Sequence, residues 1–328
     1  MQYNENQVKN KITVENKEES GQIEIYQSMQ GFQKPRILKY SLQISKVSCG
    51  ESHIAFLTDC GHLYTMGSNE KGKLGLGDLE LSQTTVPSLV ESLGEFEIVQ
   101  VSCGRHHTAW VTKNGKIFIW GENKFGALGK DYSNNIPLPQ PVAYFLNYKI
   151  KIEKVSCGWY HTCFLSKSGD VFIAGINNEN PNSLVNFVQV PEKWSDISCG
   201  ENCSLLLTNS GFVYTIDFWM EEGFIPFKLR RLETEVVTKI ECNKSCAAVT
   251  DEGFLYVWGN SILGNFAEPE RIQYIPKAIQ EVSLGYYVSA CIDSSGLIWA
   301  WGKNSHGELG VGDWERRPTP YPVMALQK

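Results

Sequence analysis

The chain has 328 residues, ten Cys, 42% hydrophobic residues, and 30 Lys+Arg against 36 Asp+Glu for a formal charge of −6. That composition can bury a real core, which excludes a disordered polymer. No apolar run reaches the roughly 20 residues of a bilayer span, and the opening MQYNENQVKNK lacks the apolar stretch of a secretory signal. The balance of charge is slightly acidic, which argues against body-wide attraction to DNA or chromatin. The expectation is a soluble protein of the cytoplasm, with the nucleus open to it, and no CxxC pair marks a zinc ribbon or redox site. Free, mostly buried thiols in a reducing compartment account for the cysteines most simply.

Residues 1–20 are polar and charged and read as a flexible tail ahead of a single domain over 21–328. From Gly21 onward, Gln22-Ile23-Glu24-Ile25-Tyr26 and Lys34-Pro35-Arg36-Ile37-Leu38 read as a degenerate first unit. Clear repeats follow: VSCGESHIAFLTDCGHLYTMG (47–67), VSCGRHHTAWVTKNGKIFIWG (101–121) and VSCGWYHTCFLSKSGDVFIAG (155–175). Weaker copies are ISCGENCSLLLTNSGFVYTID (197–217), IECNKSCAAVTDEGFLYVWG (240–259, one residue short) and the unit that opens at Val282.

The glycines at 61, 115, 169, 211, 253 and 296 recur at intervals of 54, 54, 42, 42 and 43 residues, the period of a propeller blade or solenoid turn. Each closes a string such as Lys113-Asn114-Gly115 between β-prone runs, so each unit contains a tight hairpin that needs positive φ at Gly. Pro-containing stretches such as Thr85-Val86-Pro87 and Thr319-Pro320-Tyr321-Pro322 suit outer edge strands, where a missing N–H costs little. Helical periodicity is nowhere sustained, which excludes an all-α repeat. The chain reaches Lys328 where the next VSCG would begin, so the N-terminal segment is expected to complete a blade with the C-terminus and leave no sheet edge open.

The frame VSCGxxHTxxLxxxGxxFxWG, followed by Gly72-Lys73-Leu74-Gly75-Leu76-Gly77-Asp78, Gly126-Ala127-Leu128-Gly129 and Gly307-Glu308-Leu309-Gly310-Val311-Gly312-Asp313, resembles the regulator of chromosome condensation repeat over about residues 21–326. The resemblance implies an all-β, seven-bladed β-propeller, six clear repeats plus the degenerate N-terminal one, closed by N- and C-terminal strands. It also implies two functions: a non-catalytic protein-interaction scaffold, or guanine-nucleotide exchange on a small GTPase of the Ran type. Units three to five lack the full GxLGxGD stretch, and unit four has Ile216-Asp217 in place of WG. The founding member's GDSHT string is absent; Gly50-Glu51-Ser52-His53 and Gly104-Arg105-His106-His107 stand there, and Glu51 alone keeps a carboxylate. A light-sensing branch of the family uses repeated GWRHT strings, against one partial match here at Gly158-Trp159-Tyr160-His161-Thr162.

The glycine-rich LGLGD string lacks the lysine and the strand-to-helix setting of a phosphate loop, and reads as a blade turn. The CxxxH pairs Cys49/His53, Cys103/His107 and Cys157/His161 carry good metal-ligand types, but recur once per blade. They are expected to spread around the ring as core thiols and backbone-bonded histidines. No nucleophile has a unique base, so no catalytic residue, cofactor or metal site is expected.

The free positions in the frame lie between Gly and His: Glu51 with Ser52, Arg105, His106, Trp159, Tyr160, Glu201, Asn202, Lys244 in the shortened copy, Tyr286 and Tyr287. In a propeller they project from one face and encircle one opening, with the aromatic and cationic composition of interface hot spots. The alternative is that they only pack on neighbouring loops. The expected partner is a protein, a small GTPase among the candidates, bound by a monomer.

Overall fold

A computed structural model describes residues 43–91, 96–129, 135–175, 185–188, 192–217, 225–261 and 264–324, and as strands only the segments Lys11–Lys17, Gln22–Ser28 and Arg36–Tyr40. Among the described residues the fold is an all-β propeller of six four-stranded antiparallel blades, each built from one stretch of chain with its strands in chain order. Blades one to six run over residues 44–89, 98–141, 152–188, 194–228, 237–271 and 279–322.

Hairpin glycines join the second and third strands of every blade, and all six have φ between +77° and +83°. Side chains other than Gly rarely adopt that conformation, which explains the glycine period in the sequence. The outer strands Gln83–Leu89, Ile136–Pro141 and Arg317–Pro322 carry the prolines at the sheet edge, as expected.

The core lies between the blades. Leu57, Leu63, Val101, Trp110 and Trp120 fill the space between blades one and two; Val111, Ile119, Val155, Phe164 and Phe172 fill the next. Equivalent cores join blades three to four, four to five and five to six. The second strands of blades one, two, three and five are buried along their whole length, because both sheet faces are covered.

The VSCG…HT string is the seam between blades. The Ser48 hydroxyl accepts from the Cys103 N–H of the next blade at 2.9 Å, and Ser102 with Cys157, Ser156 with Cys199 and Ser198 with Cys242 repeat the bond. The histidines reach forward as well: His53 Nε2 lies 2.8 Å from Thr108 Oγ1, His107 Nε2 2.9 Å from Thr162 Oγ1, and His161 Nε2 2.8 Å from Ser204 Oγ. The sequence predicts backbone partners for these histidines; each meets a hydroxyl of the following blade, and His107 has a backbone bond to His161 as well. Gly104 is required by close approach, since a Cβ there would sit 2.4 Å from the Gly158 carbonyl oxygen.

Two expectations for the ends of the chain change. Among the described residues the last blade takes its four strands from 279–322 and the N-terminal strands pair with one another, so the expected shared C-terminal blade is not formed there. The physical reason is that the sixth unit already carries its own proline-edged outer strand, Arg317–Pro322. Residues 11–17, placed by sequence in the tail, form a strand opposite Gln22–Ser28; the rest of that tail lies outside the described residues.

A candidate protein-binding face over the ring axis

In blades one to three the Gly-x-x-His loop joins the first strand to the second, in blades four and six the equivalent loops ending at Cys203 and Val288 do so, and in blade five the shortened Asn243-Lys244 turn. In blades two and three these loops are tied to the next blade by backbone bonds, Arg105 N–H to Gly158 O and Trp159 N–H to Gly200 O, both 3.2 Å. Anchored in this way, their free side chains are held over the opening of the ring.

There the loops meet. The Trp159 ring of blade three stacks on the Tyr286 ring of blade six at 5.4 Å with an interplanar angle of 16°. Arg105 of blade two places its guanidinium 4.2 Å from the Trp159 centroid and donates to the Tyr160 hydroxyl. Glu51 of blade one holds the same guanidinium at 3.3 Å. Lys244 of blade five brings its ammonium 4.6 Å from the Tyr286 ring, and Tyr286 meets Tyr287 edge-on at 4.5 Å. Blades three and six stand across the ring from each other, so this assembly spans the axis.

Six of the residues singled out by sequence therefore form one cation–aromatic assembly: Glu51, Arg105, Trp159, Tyr160, Tyr286 and Tyr287. Tyr287 is 48% exposed, leaving much of its ring available to a partner. His106 is half-buried outside the stack, its pKa held below the usual imidazole range by burial and by the nearby Lys73 charge. Glu201 binds the next blade through its N–H to Asn243 O at 2.8 Å, and Asn202 is exposed; neither joins the stack.

Lys244, the free position of the shortened unit, joins the assembly, whereas Lys303 and Phe125 were not among the positions singled out by sequence. Lys303 lies 5.4 Å from the Tyr287 centroid, and Phe125 meets Tyr160 edge-on at 4.9 Å. A signal existed for Lys303: the residue after the WG glycine bonds back to the loop in each clear case, Ser68 N–H to Ser52 O, Glu122 N–H to His106 O and Lys303 N–H to Tyr287 O. That position is a second ring beside the first.

The CxxxH pairs do not converge as pairs, but ligand atoms do meet across seams. His161, Cys163 and Cys199 form one group, and Cys203, Cys242 and Cys246 another, with the atoms of each group within 4.8 Å of one another. All ten thiols are free. Among the described residues, no helix is long and apolar enough to cross a membrane.

The family model of the Regulator of chromosome condensation (RCC1) repeat matches residues 60–111, 114–165 and 295–328, and a second model of the same repeat matches 44–73, 98–127 and 152–180. The chain belongs to this repeat family. It is 26% identical over 297 residues to the Ultraviolet-B receptor UVR8 of Arabidopsis thaliana, covering 88% of this chain and 59% of that protein. It is 29% identical over 329 residues to Protein RCC2 homolog of Danio rerio, covering 83% and 64%. The chain thus spans less than two thirds of these relatives, and 7% of the human E3 ubiquitin-protein ligase HERC2. Among solved structures, human WBSCR16 aligns with a TM-score of 0.75 at 23% identity, covering 88% of this chain and 83% of that one. Prp20p of Saccharomyces cerevisiae aligns at 0.74 and 18%, covering 88% and 80%. At these identities the likeness concerns the fold.

Proposed function

We propose that this chain is a non-catalytic, monomeric docking wheel of the cytoplasm or nucleus, whose axial face of Arg105, Trp159, Tyr160, Tyr286 and Tyr287 binds a protein partner. The observation that carries the reading is the stack of Trp159 on Tyr286 flanked by Arg105 and Lys244. Aromatic and Arg side chains dominate binding energy at interfaces, and here they are held by anchored loops, so little ordering cost remains on association. Arg105, Lys244 and Lys303 stand beside the carboxylates Glu51, Glu201 and Glu122 on the two loop rings, so the face offers a partner mixed charge around an aromatic centre. Affinity capture with the wild-type chain and with Trp159→Ala/Tyr287→Ala tests it. Partners lost by the variant while its melting curve stays cooperative support the face; an unchanged partner set overturns it.

A second reading is guanine-nucleotide exchange. It is supported by the fold shared with Prp20p, whose binding to Gsp1p, a small GTPase, and to histones has been described. Release of a fluorescent GDP analogue from Ran-type GTPases, with and without this chain, decides it. Acceleration that is lost in Glu51→Ala and Arg105→Ala makes the chain an exchange factor.

The three N-terminal strands complete the ring as a seventh blade in this reading. Ile54, Phe56 and Met66, on the side of blade one away from blade two, are buried, yet none belongs to the core that blades one and two share. Deleting residues 1–42 should then lower the melting temperature and expose Phe56 to quenchers.

A further inference from the structure

The seam between blades four and five departs from the rule that the first three seams follow. In the first three seams a histidine meets a hydroxyl of the next blade, beside the cysteine that ends that blade's first strand: His53 with Thr108 and Cys103, His107 with Thr162 and Cys157, His161 with Ser204 and Cys199. At the fourth seam Cys203 takes the histidine position and Cys246 the hydroxyl position, while Cys242 keeps its own. Three unrelated residue types have become one.

The three sulfurs form a compact triangle. Cys203 Sγ lies 3.6 Å from Cys242 Sγ and 3.8 Å from Cys246 Sγ, and Cys242 and Cys246, opposite each other across their hairpin, are 3.0 Å apart. Zn–S bonds of about 2.3 Å in a tetrahedron set the sulfurs about 3.8 Å apart, so two edges already fit. The third opens by rotation about χ1. Cys242 and Cys246 are buried and Cys203 half-buried, which leaves one side for entry and for a fourth ligand from solvent.

We propose that Cys203, Cys242 and Cys246 bind a thiophilic closed-shell metal ion of the zinc class, clamping blade four to blade five. Each thiol gives its proton to solvent and the resulting thiolate bonds the ion, so one M2+ replaces three protons and no electron is transferred. The clamp stands where the histidine–hydroxyl bond of the first three seams is missing. The neighbouring group His161, Cys163 and Cys199 is a poorer site, because the Ser204 hydroxyl sits among its ligand atoms at 2.8, 3.3 and 3.4 Å.

The test is titration of the reduced full-length chain with Cd2+, read by thiolate-to-metal charge-transfer absorbance, followed by competition with Zn2+. Cys203→His/Cys246→Thr installs the pair that the first two seams use, so the variant keeps its fold. Expected is one saturable equivalent in the wild type, displaced by Zn2+, protecting three thiols from alkylation and raising the melting temperature. The double variant should lose that equivalent, and Cys60→Ser, at an exposed thiol elsewhere, should keep it. Absence of a saturable signal in the wild type, or the same signal in the double variant, overturns the site.

Discussion

Trp159 and Tyr286 stack at 5.4 Å although they belong to blades on opposite sides of the ring. A contact of that kind makes the axial face one unit, because moving either loop disturbs the other. Trp159 also carries the Arg105 guanidinium, and Tyr286 the Lys244 ammonium. Aromatic pairs contribute about 0.5–1.5 kcal/mol beyond area burial, and exposed cation–π contacts about 0.5–1 kcal/mol. Tyr286→Ala should therefore cost roughly 1–2 kcal/mol of stability by those two contributions. In a double-mutant cycle in urea, Arg105→Ala and Trp159→Ala should show a coupling energy, whereas Arg105→Ala and Tyr274→Ala should be additive. Additivity of the first pair would mean that the guanidinium contributes nothing through the ring.

The seam gives a second expectation. Ser102→Ala removes the acceptor of the Cys157 N–H, which is then buried between blades without a partner. A stranded buried donor costs about 1–3 kcal/mol. Ser283 holds the same place in blade six but is exposed, so Ser283→Ala should stay within about 0.5 kcal/mol. Chemical denaturation of the two variants compares them directly. Equal losses would show that the serine acts locally and does not join blades.

The repeat made the blades legible because one local rule recurs: a hairpin glycine at positive φ, strands on either side, a proline-edged outer strand. The ring of free loop positions was legible for the same reason, since equivalent residues in equivalent blades must share a face. What the sequence hid was contact between non-equivalent blades. No local pattern says that Trp159 reaches Tyr286, that Lys244 of the shortened unit points at the same ring, or that Cys203 meets Cys242 and Cys246. The histidines show the same limit: a side chain repeated at 53, 107 and 161 was given backbone as its partner, whereas its hydroxyl partner is a side chain repeated in the next blade. Closure by strand exchange failed because the last unit was taken as unfinished, while its own prolines at 318, 320 and 322 already supplied an edge strand.

Two seam histidines set the response to acid. Burial pushes the His107 pKa down to about 3, with the charges of His161 and His106 adding, and His53 is likewise held well below its usual value by burial. Both are neutral in the fold and titrate near 6.5 when unfolded. Between about pH 3 and 6.5 the unfolded chain binds more protons, so stability rises with pH across that window and is complete above it. Denaturation midpoints should fall steadily from pH 7 to pH 5. In His107→Gln, which has no ionisable group at the seam, the fall should be shallower even though the variant starts lower. A parallel slope in wild type and variant would assign the acid response to other groups.

Glu241 works in the opposite direction. It lies half-buried in the first strand of blade five, and burial raises its pKa to about 7; Lys154 opposes the shift while Asp196 and Glu281 add to it. A carboxyl with a folded pKa above its unfolded value near 4.3 is protonated more readily in the fold, so stability falls as pH rises from about 4.3 to 7. Above pH 7 the fold carries a desolvated carboxylate whose cost is on the order of 1–3 kcal/mol after allowance for solvent screening. Glu241→Gln keeps the shape and removes the charge, so it should be more stable than wild type at pH 8 and lose that advantage toward pH 4.5. The histidines titrate alike in both proteins and cancel in the difference, so this one comparison isolates Glu241. A difference that does not change with pH would show that the carboxyl is ionised in the fold throughout, paired with Lys154.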